Sequence, residues 1–485
     1  MRRLALLAIV FCLVHCTSVQ PSKQHGGAIP VVDVDPGIML QRVDGFGFST
    51  AWGRGVPHDL MNAFFSQEVG AGFSIIRTRI PFRHSKKHKD CIVVRKAGGT
   101  GDFDFSQVNK GKPNEHKVFR INWSHWDLNT TKNLLAAIRA NPAYEQPIVF
   151  STPWTPPNNN VSQWKSDMTY PTDHPEIGGT LKPSRYSDYA DVLADFVLGF
   201  EANMGVPLHA LSIQNEPGYE CTYESCDWTA SQIHSFLKVL HRQWKKKGVF
   251  KVLPKLTIMA PEHNNFKEEL ILPSLADPVT SQLIGIAGGH LYEYGWNWPD
   301  PLQINFKPMK QSIAAGKRIW QTEWSPEKFG DVNTIGPNLA MAKAIHVLFA
   351  EAKLNAFVYW WTQTLVHNGK PGKTLCTLAQ FSRHVRPGWR RVQSNLEPLR
   401  GVYLTAFSSP DKTKLAIILT NMGTDSKTLS LSLNKKRWKS LASYRTSAKE
   451  NMVELDPVSW EGNQVTVTVP SQSITTFYGK VEAIR

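Results

Sequence analysis

The chain has 485 residues, which is enough for one large domain and a smaller second one. Hydrophobic residues make up 41% and charged residues 20%, a composition that excludes a disordered chain. The formal net charge of +15 favours a polyanionic partner. Nucleic acid is not expected, because the most basic stretch, HRQWKKKGVFK at 241–251, is typical of the solvated face and end of a helix.

The first residues are typical of a secretory signal peptide, which we assign to 1–20. Two arginines precede an apolar run from Leu4 to about Val14, and small residues follow. A membrane anchor is the alternative, but the run is too short to span a bilayer. The predicted location is therefore outside the cell, where an acidic polysaccharide suits the positive charge.

Cysteine usage fits such an exported protein. Four cysteines follow the signal segment, namely Cys91, Cys221, Cys226 and Cys376. Two disulfides are plausible in an oxidising compartment, and of the three possible pairings Cys221 with Cys226 is the local one. Three Asn-X-Ser/Thr sequons, at Asn122, Asn129 and Asn160, fit a glycoprotein.

Metal binding is not predicted. Zinc would be the alternative use of the cysteines, but neither a CxxC pair nor a close Cys/His set occurs. His84 and His88 are four residues apart and could form a metal pair, yet no third ligand is evident near them. We therefore expect neither a metal nor an organic cofactor.

Eight apolar or β-branched runs recur at a spacing of roughly 30–40 residues, the rhythm of a (β/α)8 barrel. The predicted strands span 44–49, 73–79, 147–152, 209–215, 255–261, 283–290, 317–322 and 355–361. Stretches with helical spacing, such as 185–203, lie between them and imply parallel strands. The predicted class is α/β, a TIM barrel over 44–392.

After about residue 392 the pattern changes to short alternating strands separated by turn residues. The strand segments are LAIILTNM, KTLSLSL, QVTVTVP and SITTFYG. Such a pattern predicts a small C-terminal β-sandwich side domain over 393–485.

Carboxylates follow four consecutive predicted strands, at the end where barrels of this kind hold their active sites. Glu216, Glu262, Glu293 and Glu323 come after strands 4 to 7. Glycoside hydrolysis with retention needs a carboxylic acid and a nucleophilic carboxylate about 5–5.5 Å apart. Strands 4 and 7 face each other across the barrel, so Glu216 and Glu323 are the predicted pair. The amide of Asn215 could hold a sugar 2-hydroxyl.

Tryptophans also concentrate near the strand ends, where their rings can stack on sugar faces. They are Trp52, Trp154, Trp296, Trp298, Trp324, Trp360 and Trp361. Core packing is the alternative for each of them, as a structural hydrogen bond is for each glutamate. Together they predict a carbohydrate site.

These segments resemble glycoside hydrolase family 30, a retaining (β/α)8 family. SIQNEP is similar to the family's acid/base motif and IWQTEW to its nucleophile segment, which implies that Glu216 is the acid/base and Glu323 the nucleophile. DGFGFS and IIRTRI resemble its first two strands, implying that Arg77 helps to hold the nucleophile ionised.

Further segments extend the resemblance over nearly the whole chain after the signal peptide. STPWTPP resembles the strand whose tryptophan, here Trp154, lines the sugar site, and GHLYEYG carries the His290 and Tyr292 expected after strand 6. FSRHVRPGWRRV at 381–392 resembles the link into the side domain, to which residues 21–43 would contribute. TPPNNN departs from the family pattern and predicts a different or more open cleft wall.

The family includes xylanases, glucuronoxylanases, β-1,6-galactanases, β-1,6-glucanases and glucosylceramidases. GFSTAWGRG resembles the first loop of secreted xylan-active members, so a β-1,4-xylanase or glucuronoxylanase is predicted. Arg54 would contact an acidic substituent such as glucuronic acid, with a salt bridge within its loop as the alternative. Trp52 and Trp360 would bind substrate.

The alternatives are a β-1,6-galactanase or β-1,6-glucanase, or a non-catalytic carbohydrate-binding protein on the same scaffold. A monomer without a membrane partner is expected.

Overall fold

The computed structural model describes residues 28–82, 92–96, 117–157, 168–170, 179–219, 221, 223–292 and 308–484, with backbone alone for 92–96 and 117–120. Several predictions lie outside these residues: the signal peptide, His84, His88, Cys91, Asn160, Glu293, Trp296 and Trp298. No helix of the described part has the length and apolarity that crossing a bilayer requires.

Secondary structure alternates between strands and helices up to about residue 382 and is almost entirely β beyond it. The strands are β1 Val31–Arg42, β2 Gly45–Ser49, β3 Ile75–Ile80, β4 Ile92–Lys96, β5 Lys117–Ile121, β6 Ile148–Pro153, β7 Ala210–Ser212, β8 Thr257–His263, β9 Ile284–His290, β10 Arg318–Glu323, β11 Ala356–Tyr359, β12 Val366–His367, β13 Lys370–Pro371, β14 Arg390–Ser394, β15 Val402–Ser408, β16 Lys414–Asn421, β17 Lys427–Leu433, β18 Lys436–Trp438, β19 Ala442–Thr446, β20 Val453–Glu454, β21 Gln464–Val469 and β22 Ser473–Ala483. The helices are α1 Met61–Phe65, α2 Trp126–Ala140, α3 Tyr186–Met204, α4 Ala230–Lys246, α5 Val249–Val252, α6 Leu272–Ala276, α7 Pro278–Leu283, α8 Lys310–Ala314, α9 Ile335–Ala350 and α10 Lys373–Ser382.

Eight of the described strands close a parallel barrel in the order β2, β3, β6, β7, β8, β9, β10, β11. Each coincides with one of the eight predicted strands to within a few residues, and the predicted helix at 185–203 is α3, so the TIM-barrel prediction is confirmed. The largest difference is β7, which ends at Ser212 where the prediction ran to 215. Beyond Ser212 single hydrogen bonds still tie the chain to both neighbouring strands, from the Asn215 N–H to the Pro153 carbonyl of β6 (2.8 Å) and from the Glu216 N–H to the Glu262 carbonyl of β8 (2.9 Å).

A packed layer of side chains fills the barrel interior below the active-site end. It consists of Ile75, Phe150, Ala210, Met259, Ile286, Trp320, Ala356 and Val358, all fully buried. The Trp320 Nε1–H donates to Asp44 Oδ2 at 2.8 Å. Beside this layer the backbone of β2 approaches β3 so closely that only glycine fits at Gly47. The barrel is therefore a solid support for a site at its C-terminal end.

The C-terminal strands form a second sheet with its own apolar core. Its order is β20, β19, β22, β16, β15, β14, β1, β17, β21, with β18 paired to β22. The predicted segments at 415–422, 427–433, 464–470 and 473–479 fall on β16, β17, β21 and β22. The predicted β-sandwich side domain is thus confirmed. β1 lies within the sheet, antiparallel to β14 and parallel to β17.

Helix α9 packs between the barrel and this sheet. Thirteen of its sixteen residues are buried, as in a helix that is covered on every side. The Phe349 ring meets Phe407 of β15 edge-on at 5.2 Å. His346 Nδ1 hydrogen-bonds the Thr405 hydroxyl of the same strand at 2.7 Å. The two domains therefore share one continuous buried region.

Two features differ from expectation. A hairpin of β4 and β5 follows β3 and was not predicted.

The disulfide prediction finds no support either, since Cys221, Cys226 and Cys376 are free thiols and the local pairing of Cys221 with Cys226 is not formed. Instead each of these two sulfurs approaches a nearby backbone carbonyl, Cys221 that of Tyr223 (3.7 Å) and Cys226 that of Asp227 (3.8 Å).

Replacing Gly47 by alanine tests the close approach of β2 and β3. A Cβ there would stand 1.9 Å from the Ile75 carbonyl oxygen, a backbone atom that cannot rotate away. We expect the free energy of unfolding, measured with denaturant, to fall by about 1–3 kcal/mol or more. Gly336→Ala is the control, because a Cβ at that position meets nothing within 4 Å. Equal stability of the two variants would contradict the packing described.

Candidate active site

A buried guanidinium lies at the centre of the barrel mouth. Arg77 of β3 is fully buried and forms an ion pair through Nη1 with Glu323, at the end of β10. Its Nη2 donates to Asn215 Oδ1 at 2.6 Å and pairs with Glu262 Oε1 at 3.1 Å. One cation therefore links the ends of four strands, and it leaves the amide N–H groups of Asn215 as donors for a ligand.

Glu216 lies beside this cluster and has a different partner. His290 Nδ1, at the end of β9, donates to Glu216 Oε1 at 2.8 Å, and its Nε2 is 3.7 Å from Glu262 Oε1. The Tyr292 side chain hydrogen-bonds Glu323. The two predicted catalytic carboxylates are thus brought together, one held by an imidazole and the other by a guanidinium.

The charges at this site shift one another's pKa values. Burial lowers the pKa of His290, but the carboxylates of Glu323, Glu216 and Glu262 outweigh burial and raise this pKa to about 9. Burial raises the pKa of Glu323, while Arg77 and His290 favour its ionised form. Burial would also raise the pKa of Glu262, but Arg77 and His290 reverse that effect and lower it. At neutral pH the site therefore holds two cations among its carboxylates.

Three residues of the site have left-handed backbone conformations that are rare outside glycine. Their φ angles are 48° for Trp52, 46° for Glu216 and 55° for Glu262. Such conformations cost of order 1–3 kcal/mol each and persist only where the surroundings impose them. Three of the nine non-glycine residues with positive φ in the described part of the chain therefore lie at this mouth.

A cleft of about 630 Å³ opens above the carboxylates. Its aromatic lining comprises Trp52, Trp154, Tyr219, Tyr223, Tyr292, Trp360 and Trp361. Its polar lining comprises Glu216, Asn264, Glu323, Ser325, Glu327 and Lys328. Rings that offer an apolar face beside hydrogen-bonding groups are the usual combination for holding a sugar.

The tryptophans of the cleft stand close to one another and to Arg77. Ring centroids of Trp52 and Trp154 are 4.8 Å apart, and Trp360 is 6.1 Å from each of them. The Arg77 guanidinium lies over Trp154 at 4.6 Å and over Trp360 at 5.8 Å. These rings cover the cation on its cleft side and form the floor of the cleft.

Most of the predicted site residues meet in this cleft. Arg54 does not line it and is exposed in the loop after β2, so its contact with an acidic substituent stays a prediction. Trp324 was predicted to lie at the strand ends as a sugar platform, but it is 1% exposed and packs against Phe329 in the core.

Several residues were missed at the sequence level. Glu262 was set aside for lack of a facing partner, although its place after strand 5 was the available signal. Tyr219 and Tyr223 follow strand 4 in the same segment as Glu216, and their proximity to it could have indicated them. Arg79 lies two residues after Arg77 on β3. Because successive side chains of a strand point to opposite faces, residues two apart lie on the same face, and this spacing could have indicated Arg79.

One set of side chains among the described residues has the spacing of a metal site. The possible ligand atoms of Glu216, His290 and Glu323 lie within 4.8 Å of one another. A cation here would approach the fixed charge of Arg77, which already contacts Glu323. These residues could hold a metal only against that repulsion, and their hydrogen bonds suit acid–base chemistry directly.

The pKa of His290 predicts a pH-dependent contribution to stability. Because this pKa is raised from 6.5 to about 9 on folding, the contribution is complete below 6.5 and is lost as the pH rises to about 9. We expect the difference in unfolding free energy between the wild type and His290→Gln to shrink over that interval. Denaturant unfolding at several pH values measures it, and a constant difference would contradict a protonated His290.

Comparison with known proteins agrees with this geometry. The family model described as the glycosyl hydrolase family 30 β-sandwich domain matches residues 388–477. Glucuronoxylanase XynC of Bacillus subtilis (strain 168) is 29% identical over 336 residues, which cover 68% of this chain and 73% of that protein.

Two solved structures extend the similarity to the barrel. The glycoside hydrolase family 30 subfamily 8 xylanase Xyn30A from Clostridium acetobutylicum superposes with a TM-score of 0.71 at 27% identity, covering 93% of this chain and 99% of that one. A family 30 endoxylanase from Clostridium papyrosolvens C71 gives a TM-score of 0.69 at 25% identity, covering 93% and 100%. The chain belongs to glycoside hydrolase family 30, a family of retaining O-glycosyl hydrolases.

Proposed function

We propose that the protein is a retaining endo-β-1,4-xylanase that acts on xylan carrying glucuronic acid. The observation that carries the proposal is the pair Glu216 and Glu323, whose oxygens come within 4.8 Å of each other below an aromatic cleft. That spacing suits double displacement, in which the second carboxylate attacks the sugar itself. Similarity to a glucuronoxylanase and to family 30 xylanases supports xylan as the substrate.

In the first step Glu323 attacks the anomeric carbon while the glycosidic C–O bond breaks. Glu216 gives its proton to the departing oxygen, so the leaving group departs as a neutral hydroxyl. Arg77 stabilises the carboxylate of Glu323 before attack, and Asn215, fixed by Arg77, is available to bind the sugar 2-hydroxyl. The product is a glycosyl ester of Glu323.

In the second step a water molecule replaces the departed sugar. Glu216, now a carboxylate, takes a proton from the water, whose oxygen attacks the anomeric carbon and releases Glu323. His290, hydrogen-bonded to Glu216, fixes the orientation of this side chain during the step. Two inversions at one carbon give net retention.

Cleavage within a chain, and not at its end, is favoured by the aromatic rim of the cleft. Tyr219 and Tyr223 are 40% and 38% exposed and extend the lining away from the carboxylates. An acidic substituent is favoured by the net charge of +15 and by Lys328 in the cleft lining. Because Arg54 does not line the cleft, it would contact the acidic substituent only where that substituent projects beyond the cleft.

The proposal includes export from the cell, because polysaccharides of this kind lie outside it. The basic and apolar first 20 residues support a cleavable signal. Expression in a eukaryotic host should release protein into the medium with an N-terminus near residue 21, which mass spectrometry of the purified protein would identify. Retention in the cell with residues 1–20 intact would contradict export.

Product analysis by mass spectrometry tests the substrate. We expect wild type to release acidic xylo-oligosaccharides from glucuronoxylan, and NMR of early products should show the β-anomer first. Neutral arabinoxylan, β-1,6-galactan and β-1,6-glucan are the comparison substrates. Products from either β-1,6-glycan would overturn the xylan assignment and keep the mechanism, whereas no product from any substrate would favour the non-catalytic alternative.

Substitution of the two carboxylates tests their roles. Glu216→Gln should lower kcat on glucuronoxylan by about 10²–10⁴-fold, because a positioned acid–base group contributes that much. Glu323→Gln should abolish turnover, since no ester can form. The matched control is Glu327→Gln, which changes a carboxylate at the cleft edge and should leave kcat within the same order of magnitude.

A further inference from the structure

A second arginine repeats the arrangement of Arg77 one layer nearer the mouth of the barrel. Arg77 and Arg79 are two residues apart on β3, so both side chains point inward and their Cα atoms differ in height by about 7 Å. β3 runs toward the active-site end, which puts Arg79 above Arg77. The two guanidiniums consequently lie under different rings of the cleft, Trp154 for Arg77 and Trp52 for Arg79, whose centroids are 4.8 Å apart.

Arg79 is neutralised by carboxylates as Arg77 is, but by different ones. Its Nη2 donates to both oxygens of Glu224, at 2.5 and 2.7 Å, and its Nη1 to Asp127 Oδ2 at 3.1 Å. Arg79, Glu224 and Asp127 are at most 4% exposed. Three ionisable groups are therefore buried together. Removing their charges from water costs free energy that their mutual attraction can fail to offset, so stability alone does not account for the arrangement.

Two of these groups contact Trp52 directly, and Glu224 reaches it through Arg79. The Arg79 guanidinium lies over its ring at 4.5 Å, and Asp127 Oδ2 accepts a long hydrogen bond from its backbone N–H at 3.4 Å. Glu224 directly follows Tyr223, whose ring stands edge-on to Trp52 at 6.4 Å. Trp52 itself has the left-handed backbone noted above and lines the cleft.

We propose that Arg79, Glu224 and Asp127 form a positioning layer that holds Trp52 as the platform for the sugar residue next to the one whose bond is cleaved. The proposal deepens the proposed function and rests on it. None of the three lines the cleft, so they act through Trp52 and are positioning residues. Arg77 serves the reacting sugar, and Arg79 serves its neighbour in the same chain.

The ion pair between Arg79 and Glu224 also explains how Trp52 can be held rigidly in spite of its strained backbone. The loop that carries Trp52 and the segment that carries Glu224 come from different strand ends, β2 and β7. Arg79 of β3 joins them, because its Nη2 donates to both oxygens of Glu224 and its guanidinium lies over the Trp52 ring. Substrate then meets a ring that is already in place, and less binding energy goes into ordering it.

A double-mutant cycle tests whether Glu224 acts through Trp52. The variants are Trp52→Ala, Glu224→Gln and the pair of changes together, assayed for kcat and KM on soluble glucuronoxylan. We expect Glu224→Gln to lower kcat/KM by about 10- to 100-fold, mainly through KM. The double variant should be no worse than Trp52→Ala, because removing the platform removes the role of the layer that holds it.

The outcomes separate the proposal from its alternatives. Losses that multiply in the double variant would overturn it, as would a Glu224→Gln enzyme with unchanged kcat/KM. Glu216 lies in the same segment as Glu224, so a change confined to kcat with a shifted pH profile would assign the layer to the acid/base instead and would also overturn it. An unchanged pH profile is expected.

Two further variants control for folding. Glu450→Gln breaks a partly exposed arginine–carboxylate pair with Arg445 (2.7 and 2.5 Å) in the side domain and should leave the kinetics unchanged. If Glu224→Gln does not fold, Arg79→Lys replaces it, since lysine keeps the charge but cannot contact Glu224 and Asp127 with two separate nitrogens. Loss of activity in Glu450→Gln would show that breaking an arginine–carboxylate pair in the side domain is enough to lower activity through stability, against the proposal.

Failure of the proposed function gives a different result. If wild type leaves xylan intact and cleaves one of the β-1,6-glycans, the substrate assignment fails, and the same cycle is measured on the cleaved glycan. Coupling between Trp52 and Glu224 would still support the positioning layer, and independence would overturn it.

Discussion

The charge of Arg77, buried at the centre of the barrel mouth, is the constraint on which the rest of the site depends. A guanidinium cannot lose its proton in a protein, so every strand end around it must supply compensation. Glu323, Glu262 and Asn215 do so from three different strands. The barrel brings these ends together, and the cation in turn fixes their side chains relative to one another. A carboxylate held in this way is preorganised by its fixed charge partner.

Aromatic rings complete this arrangement by excluding water from the charges. Trp154 and Trp360 cover Arg77 on the cleft side, and Trp52 has the same relation to Arg79. Electrostatic interactions strengthen where water is excluded, so the rings that line the cleft also increase the effect of the charges below them. The strained backbone of Trp52 and Glu216 lies within this network of rings and charges.

The barrel could be predicted from sequence because its strands are buried on both faces and appear as apolar runs ending in polar residues. The facing pair Glu216 and Glu323 followed from the order of the strands alone. Glu262 could not be identified as a site residue from the sequence. It belongs to the site through its contact with Arg77 across the barrel, and no local sequence pattern indicates such a contact. Trp324 was misplaced for a related reason: a residue just past a strand can turn toward the core or the cleft, and only the packing decides. The β4–β5 hairpin lies in a long insertion where loop structure leaves little periodic signal.

Helix α9 has a consequence for how this protein can be divided. A typical outer helix of such a barrel shows one polar face to solvent, but α9 has no such face, because the side sheet covers it. The strand β1, which precedes the barrel in sequence, belongs to that sheet. A fragment that ended after the barrel would expose the apolar surface of α9 that the side sheet covers. A fragment that began at the first barrel strand would lack β1 and leave a gap in that sheet. Gene fusions and recombination events should therefore inherit the two domains together, as a single block that begins before the first barrel strand.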